Sequence, residues 1–342
     1  WTRAVLGLQE HAMAPLRECL TGVRRANASL AGGDGAGAAE ALDLVAPACL
    51  RVRAGTEPPA FPYDFPDPHV VRDGDRWWGY ATNSNAGAVQ LVSSSDLTTW
   101  RLEGNALAGL PDWAVPGATW APAVVRHGGR WLLYYTVRER GSGVQCISVA
   151  TSASTGGPFR DRSSEPVVCE RAAGGSIDPD PVVDRDGRLH LLWKTELDTL
   201  GAPAELRGAP VSDGGTAVTD PPATLLRAET DWEGRTIEGP AMVVADGYHL
   251  LYSGGSWNSA GYAVGSARCE TILGPCSRQS DQPVLRSFDE VKGPGGISTF
   301  ATDHGHGVAY HAWHGDAVRY PATRYLHVGR LEITNRTAVV HP

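Results

Sequence analysis

Five segments of this chain share one pattern: "FPDPHVVRDGDRWWGYA" (65–81), "TWAPAVVRHGGRWLLYYT" (119–136), "SIDPDPVVDRDGRLHLLW" (176–193), "IEGPAMVVADGYHLLYSG" (237–254) and "GISTFATDHGHGVAYHAW" (296–313). Each sets a special residue, most often proline, ahead of β-branched residues, a polar glycine turn and an apolar, aromatic run. Pro68, Pro122, Pro179, Pro240 and Ser298 recur at intervals of 54 to 61 residues. Repetition at a near-constant period constrains architecture more than local propensity does, because each unit must bury its faces against units like itself. After each hairpin comes a further strand, clearest in "VQLVSSS", "VQCISVATS", "YAVGSAR" and "YLHVGRL". Two hairpins per repeat make a four-stranded antiparallel sheet. Five such sheets arranged radially make an all-β, five-bladed β-propeller. An elongated β-sandwich would not explain five repeats at near-equal spacing.

Residues 1–57 do not fit the repeat. Met13, Leu16, Leu20 and Val23 fall at helical spacing. A glycine- and alanine-rich turn (32–38) and "AAEALDLVAPACL" follow. The reading is a short α-helical hairpin with a linker, ahead of a propeller over 58–342. The hairpin is read as a packing appendage.

Composition narrows the partners. The formal net charge is −8, without basic runs, which argues against nucleic acid or an anionic membrane as a main partner. No apolar stretch approaches the roughly 18 residues of a bilayer span, so no membrane-spanning segment is expected. The 6 cysteines form no C-x-x-C pair, so zinc is not expected. Local spacing suggests pairing Cys19 with Cys49, Cys146 with Cys169, and Cys269 with Cys276. Bridges place the protein outside a reducing cytosol, at the cell surface or secreted, with the signal segment absent from this chain.

The topology sorts residues by face. Each first strand starts near the axis at its X-Pro step and ends at the glycine turn; the second strand returns. Starts of first strands and ends of second strands therefore share one face, where propeller loops converge. At the first-strand starts stand Asp67, Ala121, Asp178, Gly239 preceded by Glu238, and Ile297. Three repeats aim a carboxylate at the axis and two do not, an asymmetry that packing alone does not demand. Converging carboxylates repel and burial raises their pKa. Three in one pocket read as acid/base machinery. Acids beside X-Pro steps also simply form turns, the reading kept for Asp64 and Asp180.

With these residues the sequence resembles glycoside hydrolase family 43, of the five-bladed propeller clan. The matching pieces are "FPDPHVVRDGDRWWGYAT", "SSSDLTTW", "TWAPAVV", "GSIDPDPVVDRDGRLHLLW" and "TIEGPAMVVADGYHLLYSGG", in family order over about 60–335. Fructan-hydrolysing relatives usually show R-D-P and E-C steps, both absent here. The resemblance implies an inverting glycosidase acting on an oligo- or polysaccharide. Asp67 would activate water as general base, Glu238 would protonate the leaving oxygen as general acid, and Asp178 would raise the acid's pKa and orient it. An inverting pair needs roughly 6.5–9.5 Å between its carboxyls to admit the water.

Two positions depart from the family pattern. "WAPA" has Ala123 where many members have aspartate. "GPGG" has Gly296 where many have a histidine supporting a central calcium or other ion. No cofactor is required on this reading, and that ligand is not supplied. Candidate sugar contacts are Trp120, Asn83, Trp257, Asn258, His311, His314 and Arg324, all near ends of strands on the pocket face. Trp77, Trp78, Trp131 and Trp193 lie inside strands and read as inter-blade core. The expected activity is a secreted inverting enzyme for furanosidic, arabinose-type linkages, an α-L-arabinofuranosidase or arabinanase. β-Xylosidase and galactan- or galactofuranoside-directed activities share the same triad. A non-catalytic carbohydrate- or protein-binding propeller is the alternative, although a binding module has no need of all three acids.

Overall fold

Runs such as 132–135 and 191–193 are apolar without alternation, as strands buried on both faces require. The computed structural model describes residues 60–342 apart from 85, 86, 335 and 336, with a few positions between 21 and 37. The chain divides into two units, Trp1–Pro62 and Tyr63–Pro342. The expected helical hairpin lies outside the described residues, save for scattered helical positions among 21–37. A bridge between Cys19 and Cys49 also lies outside them.

The second unit is five antiparallel sheets in chain order. Blade 1 is β1 (His69–Asp73), β2 (Arg76–Ala81), β3 (Gln90–Ser94) and β4 (Arg101–Asn105). Blade 2 is β5 (Ala114–His127), β6 (Arg130–Glu139) and β7 (Gln145–Ser152). Blade 3 is β8 (Ser176–Val183), β9 (Leu189–Thr195), β10 (Glu205–Pro210) and β11 (Ala223–Arg227). Blade 4 is β12 (Ile237–Val244), β13 (Tyr248–Gly254), β14 (Ala263–Cys269) and β15 (Cys276–Arg278). Blade 5 is β16 (Val291–Thr302), β17 (Gly305–His314), β18 (Tyr325–Thr334) and β19 (Thr337–His341).

Successive residues of a strand point to opposite faces, so each second strand feeds two cores. Leu133 and Tyr135 pack with blade 1, Leu132 and Tyr134 with blade 3. Leu191 and Trp193 pack with blade 2, while Leu192 packs with blade 4. Leu250 and Leu251 divide in the same way between blades 3 and 5. Blades 5 and 1 close the ring by packing. Trp77 meets Phe300 edge-on at 5.3 Å, and Arg72 pairs with Asp303 at 2.6 Å. The four expected tryptophans are all in or against these cores.

Two features differ from the sequence reading. Blade 2 has three strands instead of four. The chain after β7 carries Gly156, Gly157, Pro158 and Pro166, and its backbone pairs with β7 only in isolated bridges, among them Thr151 with Arg160 and Ile147 with Val168, not in a ladder. Proline lacks the N–H that a ladder needs. The Cys146–Cys169 disulfide ties that segment down, and Cys269–Cys276 joins β14 to β15.

The second difference is a one-residue offset in blade 5. Each inner strand carries one residue more than its partner near the axis, a β-bulge. Trp120 pairs with Thr136 but Ala123 with Tyr134. The same step runs from Ile177 to Asp180, Glu238 to Ala241 and Gly295 to Ser298. In each bulge the first residue has left-handed backbone: Asp67 (φ 53), Ala121 (φ 41), Asp178 (φ 55), Gly239 (φ 55) and Gly296 (φ 56). Gly296 and Ile297, rather than Ile297 and Ser298, are thus the blade-5 equivalents of the X-Pro steps. The offset arises because Ile297 takes the place of the proline that marks the step in the other four blades.

The Cys146–Cys169 bridge spans 23 residues and Cys269–Cys276 spans 7. The double variant Cys146→Ala, Cys169→Ala is expected to lose about 3 kcal/mol in urea unfolding, and Cys269→Ala, Cys276→Ala about 2, since the longer loop gains more unfolded-state entropy.

Candidate active site

The five bulges share one hydrogen-bonding problem. Each turns a backbone N–H out of its own ladder, and a buried N–H needs an acceptor. The preceding blade supplies it. Ala121 N–H donates to Thr82 Oγ1 at 2.9 Å, Asp178 N–H to Thr136 Oγ1 at 3.1 Å, Gly296 N–H to Ser253 Oγ at 2.9 Å and Asp67 N–H to His311 Nδ1 at 2.9 Å. These acceptors are matched second-strand positions, opposite the residue before each bulge. In blade 3 that position is Lys194, opposite Ile177. An ammonium accepts nothing. Gly239 N–H instead donates to the Asp178 carboxylate, at 2.9 Å to Oδ2.

This ring surrounds a small axial void of about 40 Å³, lined among others by Asp67, Asp178, Pro179, Asp180, Tyr262 and Gly296. Above it opens a cavity of about 800 Å³. Asp67 and Asp178 line both spaces and form the boundary between them. Glu238, Trp120, Asn83, Trp257 and Arg324 also line the cavity. Residues 196, 198, 199 and 231–236, from the β9–β10 and β11–β12 loops, line it as well. Among the residues named from sequence, Asn258, His311 and His314 do not line it. Asn258 bonds Ser256. His314 stacks on His327, their Nε2 atoms 3.0 Å apart. His311 is fully buried beneath Asp67. Burial above all, helped by the Arg324 charge, lowers its pKa to about 3 despite Asp67, so the imidazole is neutral and free to accept the Asp67 N–H.

The three acids have different surroundings. Asp67 Oδ2 accepts the Thr82 hydroxyl at 2.6 Å. Glu238 Oε1 accepts the Tyr262 hydroxyl at 2.7 Å, and its Oε2 lies 3.4 Å from Lys194 Nζ. Lys194 also meets Asp198 at 3.1 Å and Glu196 at 3.4 Å. Burial alone would lower its pKa, but Glu238, Asp198, Glu196 and Asp178 outweigh that and raise it. Burial first, then the charges of Glu238 and Asp67, push the Asp178 carboxyl well above the usual carboxylate range. Protons in such a coupled cluster belong to the group. The cluster therefore retains a proton at pH values where an isolated carboxylate has lost it.

Arg324 sits over Trp257, Tyr320 and Trp313 at 4.8, 5.5 and 5.8 Å and donates to the Tyr320 hydroxyl at 2.8 Å. Its buried Nε has no partner among the described residues. The sequence reading missed Thr82, Lys194, Ser253, Tyr262 and Tyr320. Aligning the ends of second strands in register would have found Thr82, Lys194 and Ser253.

The family model for glycosyl hydrolases family 43 matches residues 56–337. The chain belongs to glycosyl hydrolases family 43. It is a glycoside hydrolase on a five-bladed propeller. It is 24% identical over 255 residues to the extracellular endo-α-(1→5)-L-arabinanase 1 of Bacillus subtilis (strain 168), covering 67% of this chain and 75% of that protein. It is 29% identical over 238 residues to a xylan 1,3-β-xylosidase of Vibrio sp, covering 65% of this chain and 42% of that protein. A thermostable family-43 glycoside hydrolase of known structure superposes with a TM-score of 0.73 at 24% identity, over 82% of this chain and 93% of its own.

The family pattern for an axial ion does not fit these residues. A Cβ on Gly296 would lie 2.6 Å from ring atoms of His311 and 2.8 Å from Asp67 Oδ1. The space for a histidine at position 296 is taken by His311, whose Nδ1 is committed to a backbone N–H.

Asp180 also faces the axial void. Its Oδ2 accepts Met242 N–H at 2.8 Å, and burial raises its pKa from 3.8 to about 7. The folded state therefore holds a proton that the unfolded chain releases between about pH 4 and 7, and stability falls as pH rises through that window. Asp180→Asn keeps an acceptor and cannot ionise. It is expected to match wild type near pH 4 and to be more stable at pH 8 by up to about 4 kcal/mol, at ~1.4 kcal/mol per pH unit, measured by denaturant titration at both pH values.

Proposed function

We propose that this family 43 enzyme is an inverting glycosidase that cleaves furanosidic, arabinose-type linkages, with residues 58–342 as its catalytic domain. The observation that carries this reading is the convergence of Asp67, Asp178 and Glu238 on one cavity, each with its own donor set. Asp67 takes a proton from water. The water oxygen bonds to the anomeric carbon as the bond to the leaving oxygen breaks, and Glu238 gives that oxygen its proton. Asp178 holds the backbone beside Glu238 through Gly239 N–H, so it orients the acid. Trp120 and Trp257 offer apolar faces to sugar rings, while Asn83 and Arg324 bond hydroxyls.

The likeness to the Bacillus subtilis arabinanase supports the arabinose reading. The likeness to the Vibrio xylosidase favours β-xylosides as a second reading. The loops at 196–199 and 231–236 wall one side of the cavity, which suits attack at a chain end. The disulfides Cys146–Cys169 and Cys269–Cys276 support an extracellular location.

The test is a panel of aryl α-L-arabinofuranosides, β-D-xylosides and galactofuranosides, followed by arabinan polymers. An arabinofuranoside or arabinan is expected to be cleaved with inversion, read from the first-formed anomer by NMR. Glu238→Gln and Asp67→Asn are each expected to lose on the order of 10²–10⁴-fold in kcat. Silence on every glycoside and polymer, or cleavage undiminished in both variants, would sink the reading.

A further inference from the structure

Resting on the assignment of Glu238 as the acid, we infer that Tyr262 is a positioning residue that decides which Glu238 oxygen carries the catalytic proton. Oε1 is held as an acceptor, and the proton is confined to Oε2. The reason is the direction of a hydrogen-bond chain. It begins at Gly296 N–H, which can only donate, and Ser253 Oγ accepts it at 2.9 Å. The Ser253 side chain works against burial to lower the Tyr262 pKa, as a donor facing the phenolic oxygen does. The Tyr262 hydroxyl is itself buried, a buried O–H needs an acceptor, and its hydrogen goes to Glu238 Oε1 at 2.7 Å. A carboxylic acid whose Oε1 accepts such a bond carries its proton on the other oxygen.

The tyrosine is fixed against its alternatives. Tyr262 is 2% exposed, so water does not compete for its hydroxyl. Burial, then the Glu238 charge, raises its pKa well above 10, and it stays a donor. Its ring stacks on His311 at 6.0 Å and 12°. Position 295 must be glycine for the ring to fit, because a Cβ there would lie 2.0 Å from Tyr262 Cε1. The two glycines of "GPGG" thus have separate tasks: Gly295 admits the ring and Gly296 donates its N–H to Ser253. On the other side of the acid, Lys194 Nζ lies 3.4 Å from Oε2. Lysine accepts no hydrogen bond, so a proton on Oε2 is not handed to it, and Glu238 lines the cavity where a substrate would take that proton.

The claim separates from a merely structural role by leaving group. Departure of 2,4-dinitrophenolate needs no protonation, whereas departure of phenolate or an alkoxide does. Both glycosides of the sugar that wild type cleaves would be assayed with Tyr262→Phe, Ser253→Ala and Glu238→Gln. Tyr262→Phe is expected to lose roughly tenfold or more in kcat on the phenyl glycoside, with little loss on the dinitrophenyl glycoside. KM should hold, since Tyr262 does not line the large cavity. Ser253→Ala should show the same ordering more weakly, and it decides the matter if Tyr262→Phe does not fold. Equal losses on both glycosides, or no loss, would overturn the inference while leaving Glu238 as the acid. If Glu238→Gln itself lacks the ordering, the acid assignment fails and the inference with it.

Discussion

Five backbone N–H groups, one per blade, have left their own strand ladders and must be satisfied by the neighbouring blade. The left-handed residues Asp67, Ala121, Asp178, Gly239 and Gly296 create this demand. Thr82, Thr136, Asp178, Ser253 and His311 meet it. The bonds run around the axis in one sense, each blade donating back to the one before. They tie the blades together at the level where the inner strands begin, and so they fix the spacing of everything those strand starts carry. Left-handed backbone costs about 1–2 kcal/mol for a residue with a Cβ, least for aspartate and asparagine. Such strain persists where the surroundings over-determine it, as they do here.

The ring also explains why the site is lopsided. Four blades use a neutral acceptor, and blade 3 offers Lys194. The ammonium cannot accept, so the Asp178 carboxylate takes the Gly239 N–H, and the ammonium is released to face Glu238, Asp198 and Glu196. One substitution in a repeated position thus brings a carboxylate and a cation to Glu238 together. The neutral acceptor of blade 1 passes a hydrogen onward, Thr82 to Asp67, and in blade 4 Tyr262 donates to Glu238. The inter-blade bonds and the orientation of the acids are one network.

Much of this was legible in the chain. The period of 54 to 61 residues between matched prolines gave the blade number, because period is a property of sequence alone. Two cysteine pairs were readable because each closes a short loop along the chain. Asp67, Asp178 and Glu238 stood out because they break the repeat. The fourth strand of blade 2 was wrongly expected, since the period says nothing about whether prolines interrupt an outer edge. The blade-5 offset was missed because Ile297 replaces the proline that marks the bulge elsewhere. Lys194, Tyr262 and Ser253 carry no motif. Lys194 and Glu238 are 44 positions apart in number, and only sheet register and blade packing make them neighbours.

By itself, then, the sequence determined the number of blades, the order of the strands and which acids reach the axial face. These follow from periodicity and from the alternation of side chains along a strand, both local properties. The tertiary structure decided which oxygen of each acid receives a donor, that His311 lies beneath Asp67 instead of in the cavity, and that position 296 has no room for a side chain. Those depend on sheet register and on the packing of neighbouring blades, the last against the first for His311 and Asp67, which set distances of 2.6 to 3.4 Å that no spacing along the chain encodes.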